Sequence, residues 1–350
     1  MFDARSKLEM VVGRRLVRMP DAWLGGIERL GVPLHVSIDG NTLDRRVCFA
    51  LRLMDRVSGG RGLHAFGVEG GRAQMRRLPM LMDPEPPKVL RVDETEFDGP
   101  RGMVRLRIYV PPGVQGDAPV LVYFHGGGGV VGDLETHDVP CRVLCREADC
   151  AVVSVEYALA PETPFPGGFE DCLAAFRWVR DHPDAVGGDG RVAVGGDSMG
   201  ANLAAAVALA TREEEGPCFQ LLVYPVTDPA AKTPSRDAFA RGFLLEADTI
   251  DWFTRTYLRD ADRADPRVAV LHAPAHEGLA PAYIATAGFD PLRDEGHAYA
   301  DVLEAAGVSV TRRCFAEHVH GFLHMTGAVP SAAAALEELG RALAEGFGPG

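Results

Sequence analysis

Short apolar runs recur along this chain at intervals that suit a layered fold. Residues 119–124 (Pro-Val-Leu-Val-Tyr-Phe), 151–156, 191–195, 219–224 and 282–287 are nearly continuous runs of apolar residues. Such runs predict strands buried on both faces. Residues 88–98 and 103–110 read as two earlier strands joined at Gly99-Pro100, and 308–315 alternates like a strand. Stretches with helical periodicity separate most of the later strands, at about 136–148, 169–181, 199–213, 293–306 and 331–346. Strands alternating with helices predict an α/β fold: a mostly parallel eight-stranded sheet flanked by helices on both faces. Two stretches fall outside the alternation. Residues 1–87 are mixed, with amphipathic segments at 21–30 and 44–54, and 228–280 interrupts two core strands with the helical pattern of 247–258.

The chemistry gathers at the predicted strand ends. Gly196-Asp197-Ser198-Met199-Gly200 follows strand 191–195 and opens the helix beginning at Met199. A Gly-x-Ser-x-Gly between strand and helix is a nucleophile elbow, a turn so tight that the serine hydroxyl is pushed out of the sheet. His125-Gly126-Gly127-Gly128-Gly129 follows strand 119–124. Successive glycines let backbone N–H groups converge on one spot, which suits an oxyanion hole; no Lys-Ser/Thr follows to make it a P-loop. Asp290, past strand 282–287, is placed to orient a histidine, whereas Asp294 falls in the first turn of the next helix. The loop after 308–315 carries His318, His320 and His324. His320, in His-Gly-Phe, is the candidate base, and the other two are surface or structural histidines. The order Ser198, Asp290, His320 is that of a Ser-Asp-His triad on an α/β-hydrolase sheet.

These motifs resemble the bacterial hormone-sensitive-lipase-like (family IV) carboxylesterases of the α/β-hydrolase superfamily, over roughly residues 90–330. The likeness is carried by His125-Gly126-Gly127-Gly128, Gly132-Asp133, Tyr157-Ala158-Leu159-Ala160-Pro161-Glu162, the elbow, Tyr224-Pro225, Asp265-Pro266-Arg267, Asp290-Pro291-Leu292 and His320-Gly321-Phe322. It implies an α/β-hydrolase fold with a helical cap, built from residues 1–87 and an insertion at about 228–280 in a catalytic domain 88–350. It implies hydrolysis of short- to medium-chain acyl esters through an acyl-enzyme. In that mechanism the N–H groups of Gly126, Gly127 and Met199 receive the oxyanion, while His125, Asp133, Glu162 and Asp197 fix loops. No metal or organic cofactor is implied, and a homodimer is compatible with the resemblance. An amidase or lactonase on the same fold is the alternative. A non-catalytic ligand receptor fits less well, since receptors of this family lack a triad member and all three are present here.

The sequence departs from the family at several positions. Gly129 stands where an aromatic is usual, Met199 where Ala is, Ala158 where Arg is, Glu156 for Asp and Thr163 for His. The reaction class survives these changes. Gly129 is expected to widen the pocket beside the glycine loop, and Met199 to narrow it near the elbow.

Composition adds exclusions. The net charge of −13 disfavours nucleic acid and anionic membrane surfaces as partners. No run approaches the ~18 apolar residues of a membrane span. The N-terminal residues lack a signal-peptide pattern. The seven cysteines are odd in number and match no zinc spacing. Cys141 and Cys145 are four apart on a predicted helix, where buried free thiols are the simpler reading, and a reducing cytoplasm is the expected setting.

Overall fold

A computed structural model describes residues 13–113 and 118–348. Residues 1–12 of the N-terminal segment lie outside the described residues. The chain forms an eight-stranded sheet in the order β10-β9-β8-β7-β5-β6-β4-β3, after a short hairpin of β1 (Ser37–Ile38) and β2 (Asn41–Thr42). The strands are β3 (Arg91–Gly99), β4 (Gly102–Val110), β5 (Ala118–Phe124), β6 (Ala151–Glu156), β7 (Gly188–Asp197), β8 (Gln220–Val223), β9 (Ala282–Phe289) and β10 (Val310–Val319). Within the eight-stranded sheet the β3–β4 and β4–β6 pairs are antiparallel and the other pairs are parallel. The fold is the α/β-hydrolase fold.

Helices among the described residues include α1 (Asp21–Arg29), α2 (Arg45–Ser58), α3 (Gly67–Met82), α4 (Asp138–Glu147), α5 (Gly167–Asp181), α6 (Pro183–Val186), α7 (Met199–Ala210), α8 (Pro234–Ala238), α9 (Ala247–Leu258), α10 (Arg293–Ala305) and α11 (Pro330–Gly346). The pleat of β5 divides the core between them. Val120, Val122 and Phe124 pack with α5, α7 and α10 residues such as Phe176, Leu203 and Tyr299. Leu121 and Tyr123 pack on the other face with Leu144 of α4 and Leu336 and Leu339 of α11. Successive strand residues face opposite layers, so an apolar run with no polar break is what a sheet covered on both sides requires.

The differences from the sequence reading lie mainly at ends. β7 begins earlier and runs on to the elbow itself, and β10 extends four residues further to Val319. α3 has no counterpart among the expected elements. Its helical period is interrupted by Gly70, Gly71 and Pro79, residues that lower intrinsic helix propensity. Among the described residues, no helix is long and apolar enough to cross a membrane.

Candidate active site

The turn after β7 sets the geometry. Ser198 has φ 56° and ψ −119°, a strained conformation for a residue with a Cβ. A Cβ on Gly200 would lie 1.9 Å from the Phe124 carbonyl oxygen, so only glycine lets α7 cross β5 this closely. His320 and Asp290 arrive from the loops after β10 and β9. His320 Nε2 lies 3.0 Å from Ser198 Oγ, and His320 Nδ1 lies 2.8 Å from Asp290 Oδ2. The second Asp290 oxygen accepts the Leu292 N–H at 2.8 Å. Asp290 is fully buried, and Ser198 and His320 are 9% and 8% exposed. Asp294 is engaged elsewhere, accepting the Ser235 N–H at 2.8 Å. A neutral imidazole can take the serine proton, and a buried carboxylate orients it.

His318 and His324 are structural and not on the surface. Both are buried; His318 stacks on Phe322 and His324 meets the His137 ring edge-on. Behind the serine, Asp197 gathers donors. Its Oδ1 accepts the Gly126 N–H at 2.9 Å and the Tyr123 hydroxyl at 2.8 Å, and its Oδ2 accepts the Tyr224 hydroxyl at 3.3 Å. His137 Nε2 lies 3.1 Å from Oδ1. Burial works to raise this carboxyl, but His137 and the hydrogen bonds outweigh it and hold Asp197 below the usual carboxylate range. Burial, followed by the neighbouring His137, pushes His125 down to about 4 and His324 down to about 3. Both are therefore neutral at pH 7.

Asp197 corrects one expectation. The Gly126 N–H is already donated to a buried carboxylate, so it is not available to a substrate oxygen. Gly127, Gly128 and Met199, by contrast, all line the cavity that contains Ser198 and His320.

That cavity measures about 980 Å³. Leu51 and Met54 of α2, Met75 and Leu78 of α3, and Phe253 and Tyr257 of α9 contribute apolar walls. Gly129 does not widen it. A Cβ there would lie 2.4 Å from the Tyr257 ring, and Gly129 has φ +69°. Tyr257 thus fills the space expected to be open, and a Cβ on Gly128 would meet Phe253 in the same way. The sequence placed both aromatics on one helix without showing that they pack against the glycine loop.

Three buried residues, His137, Asp197 and His324, bring possible metal-ligand atoms within 4.8 Å of one another. The Asp197 oxygens, however, are occupied by backbone and hydroxyl donors, and His137 Nδ1 lies 2.8 Å from Thr136 Oγ1. This donor set suits a hydrogen-bonded carboxylate better than an ion. Cys141 and Cys145 are buried free thiols. Burial pushes both up, Cys145 to about 12, so neither is a ready thiolate ligand.

Residues 121–324 match the family described as alpha/beta hydrolase fold. The chain is 46% identical over 327 residues to the carboxylic ester hydrolase LipN of Mycobacterium tuberculosis, covering 88% of this chain and 84% of that protein. It is 38% identical to an ethyl acetate hydrolase of Pseudomonas putida, over 77% of this chain and 87% of that one. Among solved structures, an ester-hydrolase from the metagenome of Lake Arreo, complexed with a derivative of bipyridine phosphonate, superposes with a TM-score of 0.85 at 42% identity. The match covers 88% of this chain and all of that one (100%).

Proposed function

The chain belongs to the alpha/beta hydrolase fold family, among its hormone-sensitive-lipase-like ester hydrolases, and on that premise we propose that it is a serine carboxylesterase for short- to medium-chain acyl esters. The observation that carries the reading is the hydrogen-bonded series Asp290–His320–Ser198, at 2.8 and 3.0 Å, opening on a largely apolar cavity of about 980 Å³. Ser198 Oγ attacks the ester carbonyl as its proton passes to His320 Nε2, and Asp290 steadies the imidazolium. The N–H groups of Gly127, Gly128 and Met199 receive the oxyanion, helped by the positive N-terminal end of α7. His320 then protonates the departing alcohol. Water, deprotonated by the same base, releases the acid from Ser198.

Of the expected cap segments 1–87 and about 228–280, the described residues act in this reading as the cap over the catalytic domain, because α2, α3 and α9 supply walls of the cavity. An apolar cavity of finite length binds each added CH₂ with about 0.8 kcal/mol only while it can still bury it. Rates should therefore rise, peak and fall along an acyl series, with a peak at about four to eight carbons. A relative that is named for ethyl acetate favours the short end of this range.

The test is a panel of p-nitrophenyl esters, anilides and lactones, with mass-spectrometric mapping of a serine-directed phosphonate. Ester turnover with labelling of Ser198 alone is expected. Labelling elsewhere, or anilides or lactones outrunning every ester, would overturn the reading. A kcat/KM still climbing at sixteen carbons would point to a lipase.

A further inference from the structure

One guanidinium ties three segments together beside the glycine loop. Arg72 of α3 donates from Nε to the Val130 carbonyl at 2.9 Å and from Nη2 to the Ala160 carbonyl at 3.0 Å. Nη1 and Nη2 donate to the two Glu162 oxygens at 2.8 and 2.7 Å. Between its two carbonyl targets runs a further bond, Ala160 N–H to Gly129 O at 2.8 Å. The turn is closed from within by the N–H groups of Val130 and Val131, which both donate to Gly127 O at 3.0 Å. The loop that presents Gly127 and Gly128 is therefore braced from outside by a side chain of an N-terminal helix. Arg76, one turn further along α3, pairs with Asp133 at the far end of the same loop.

We propose that Arg72 is a positioning residue for the oxyanion loop, acting through the Val130 and Ala160 carbonyls. The Glu162 pair is half-exposed and adds little by itself. The two carbonyls belong to fully buried residues, and a buried acceptor left without its donor is costly. The loop would shift to recover those bonds. The opposite face of α3 carries Gln74, Leu78 and Leu81, which line the substrate cavity. Arg72 thus joins a helix that touches the substrate to the loop that stabilises its transition state. A displacement of 1 Å in such a group costs about 10²-fold in rate.

The proposal rests on the serine esterase reading, and a pair of ligands keeps the two separable. A trifluoromethyl ketone accepts Ser198 Oγ at its carbonyl carbon; the serine proton passes to His320 and the ketone oxygen becomes the anion. The corresponding secondary alcohol fills the same cavity without forming an oxyanion. If the ketone fails to inhibit the parent enzyme competitively, or still binds Ser198→Ala equally well, the serine reading fails whatever Arg72 does. In Arg72→Met, kcat on p-nitrophenyl butyrate should fall about 10- to 100-fold with KM within about threefold. The ketone should weaken by the same factor as kcat/KM and the alcohol should not. Arg72→Lys, which keeps the charge but cannot reach both carbonyls and Glu162 in one plane, should lie in between. Equal weakening of ketone and alcohol, or no change in either, would overturn the proposal. Should Arg72→Met not fold, the same comparison on Arg72→Lys decides it.

Discussion

Replacing Asp197 by Asn tests what holds the elbow and the glycine loop together. The carboxylate accepts from the Gly126 N–H, the Tyr123 hydroxyl and the Tyr224 hydroxyl, and lies 3.1 Å from His137 Nε2. The amide is nearly isosteric, so packing is conserved, but it loses the charge and keeps one acceptor oxygen, and the hydroxyl facing its Nδ2 must turn round to accept. Hydrogen bonds to a charged acceptor contribute about 1.5–3 kcal/mol each and neutral ones about 0.5–1.5. Downgrading three of them by about 1 kcal/mol each predicts a loss of about 3 kcal/mol, before any loss from His137. Urea unfolding of parent and Asp197→Asn at pH 7 measures it. The pH dependence supplies a second check. Asp197 titrates below the usual range in the folded chain. Its stabilisation is therefore fully present above the unfolded value near 3.8 and is lost as the pH falls from there toward the folded value. The gap between parent and variant should be flat from pH 7 to 5 and shrink below pH 4. Esterase kcat should fall as well, because Gly126 anchors the loop that carries Gly127 and Gly128. A variant within 1 kcal/mol of the parent, with unchanged kcat, would refute the anchoring role and return the Gly126 N–H to the pool of oxyanion donors.

Four further outcomes are expected. Ser198→Ala and His320→Ala should each lower kcat by about 10⁴-fold or more while leaving the fold intact by circular dichroism. His318→Ala should instead be active but less stable, by about 2–4 kcal/mol in urea melts, because it empties a fully buried ring site; a dead but stable variant would move the base to that residue. Gly129→Phe, which puts an aromatic at this position, should destabilise the chain and lower activity, since Tyr257 occupies the space and φ is +69°; normal melting temperature and kinetics would contradict this. Unfolded histidines protonate near 6.5, whereas His125 and His324 stay neutral to about 4 and about 3, so each should cost about 2 kcal/mol of stability on going from neutral pH to pH 5. His324→Gln should flatten that slope, although buried Asp83, with its carboxyl raised by burial, works in the opposite direction in both proteins.

The order of strands and helices, and the three residues that meet in the series Asp290–His320–Ser198, were legible in the sequence because each is a local signal. A strand covered on both faces must be continuously apolar, as 119–124 and 151–156 are. An elbow needs glycines within two residues of the serine. Asp290 and His320 each follow a strand whose pattern stands out. α3 escaped because Gly70, Gly71 and Pro79 break its period, and it holds its shape through tertiary contacts such as Trp252 and Val131 against Gly71. The same dependence hid Arg72, which reads in sequence as one arginine among many.

What the sequence by itself determined was the α/β-hydrolase layering, the family, and Ser198, Asp290 and His320 as the residues proposed for nucleophile, acid and base. All follow from residue types at short spacing. Only the tertiary structure decided which N–H groups are free for an oxyanion, because Gly126 is claimed by a carboxylate 71 residues away. It alone showed that Tyr257 fills the space beside Gly129, and that Arg72 braces a loop more than 50 residues downstream in the chain (|i−j| = 58). Hydrogen bonds and van der Waals contacts are set by distances of a few ångströms, and between residues far apart in sequence those distances exist only once the sheet has brought its loops to one edge.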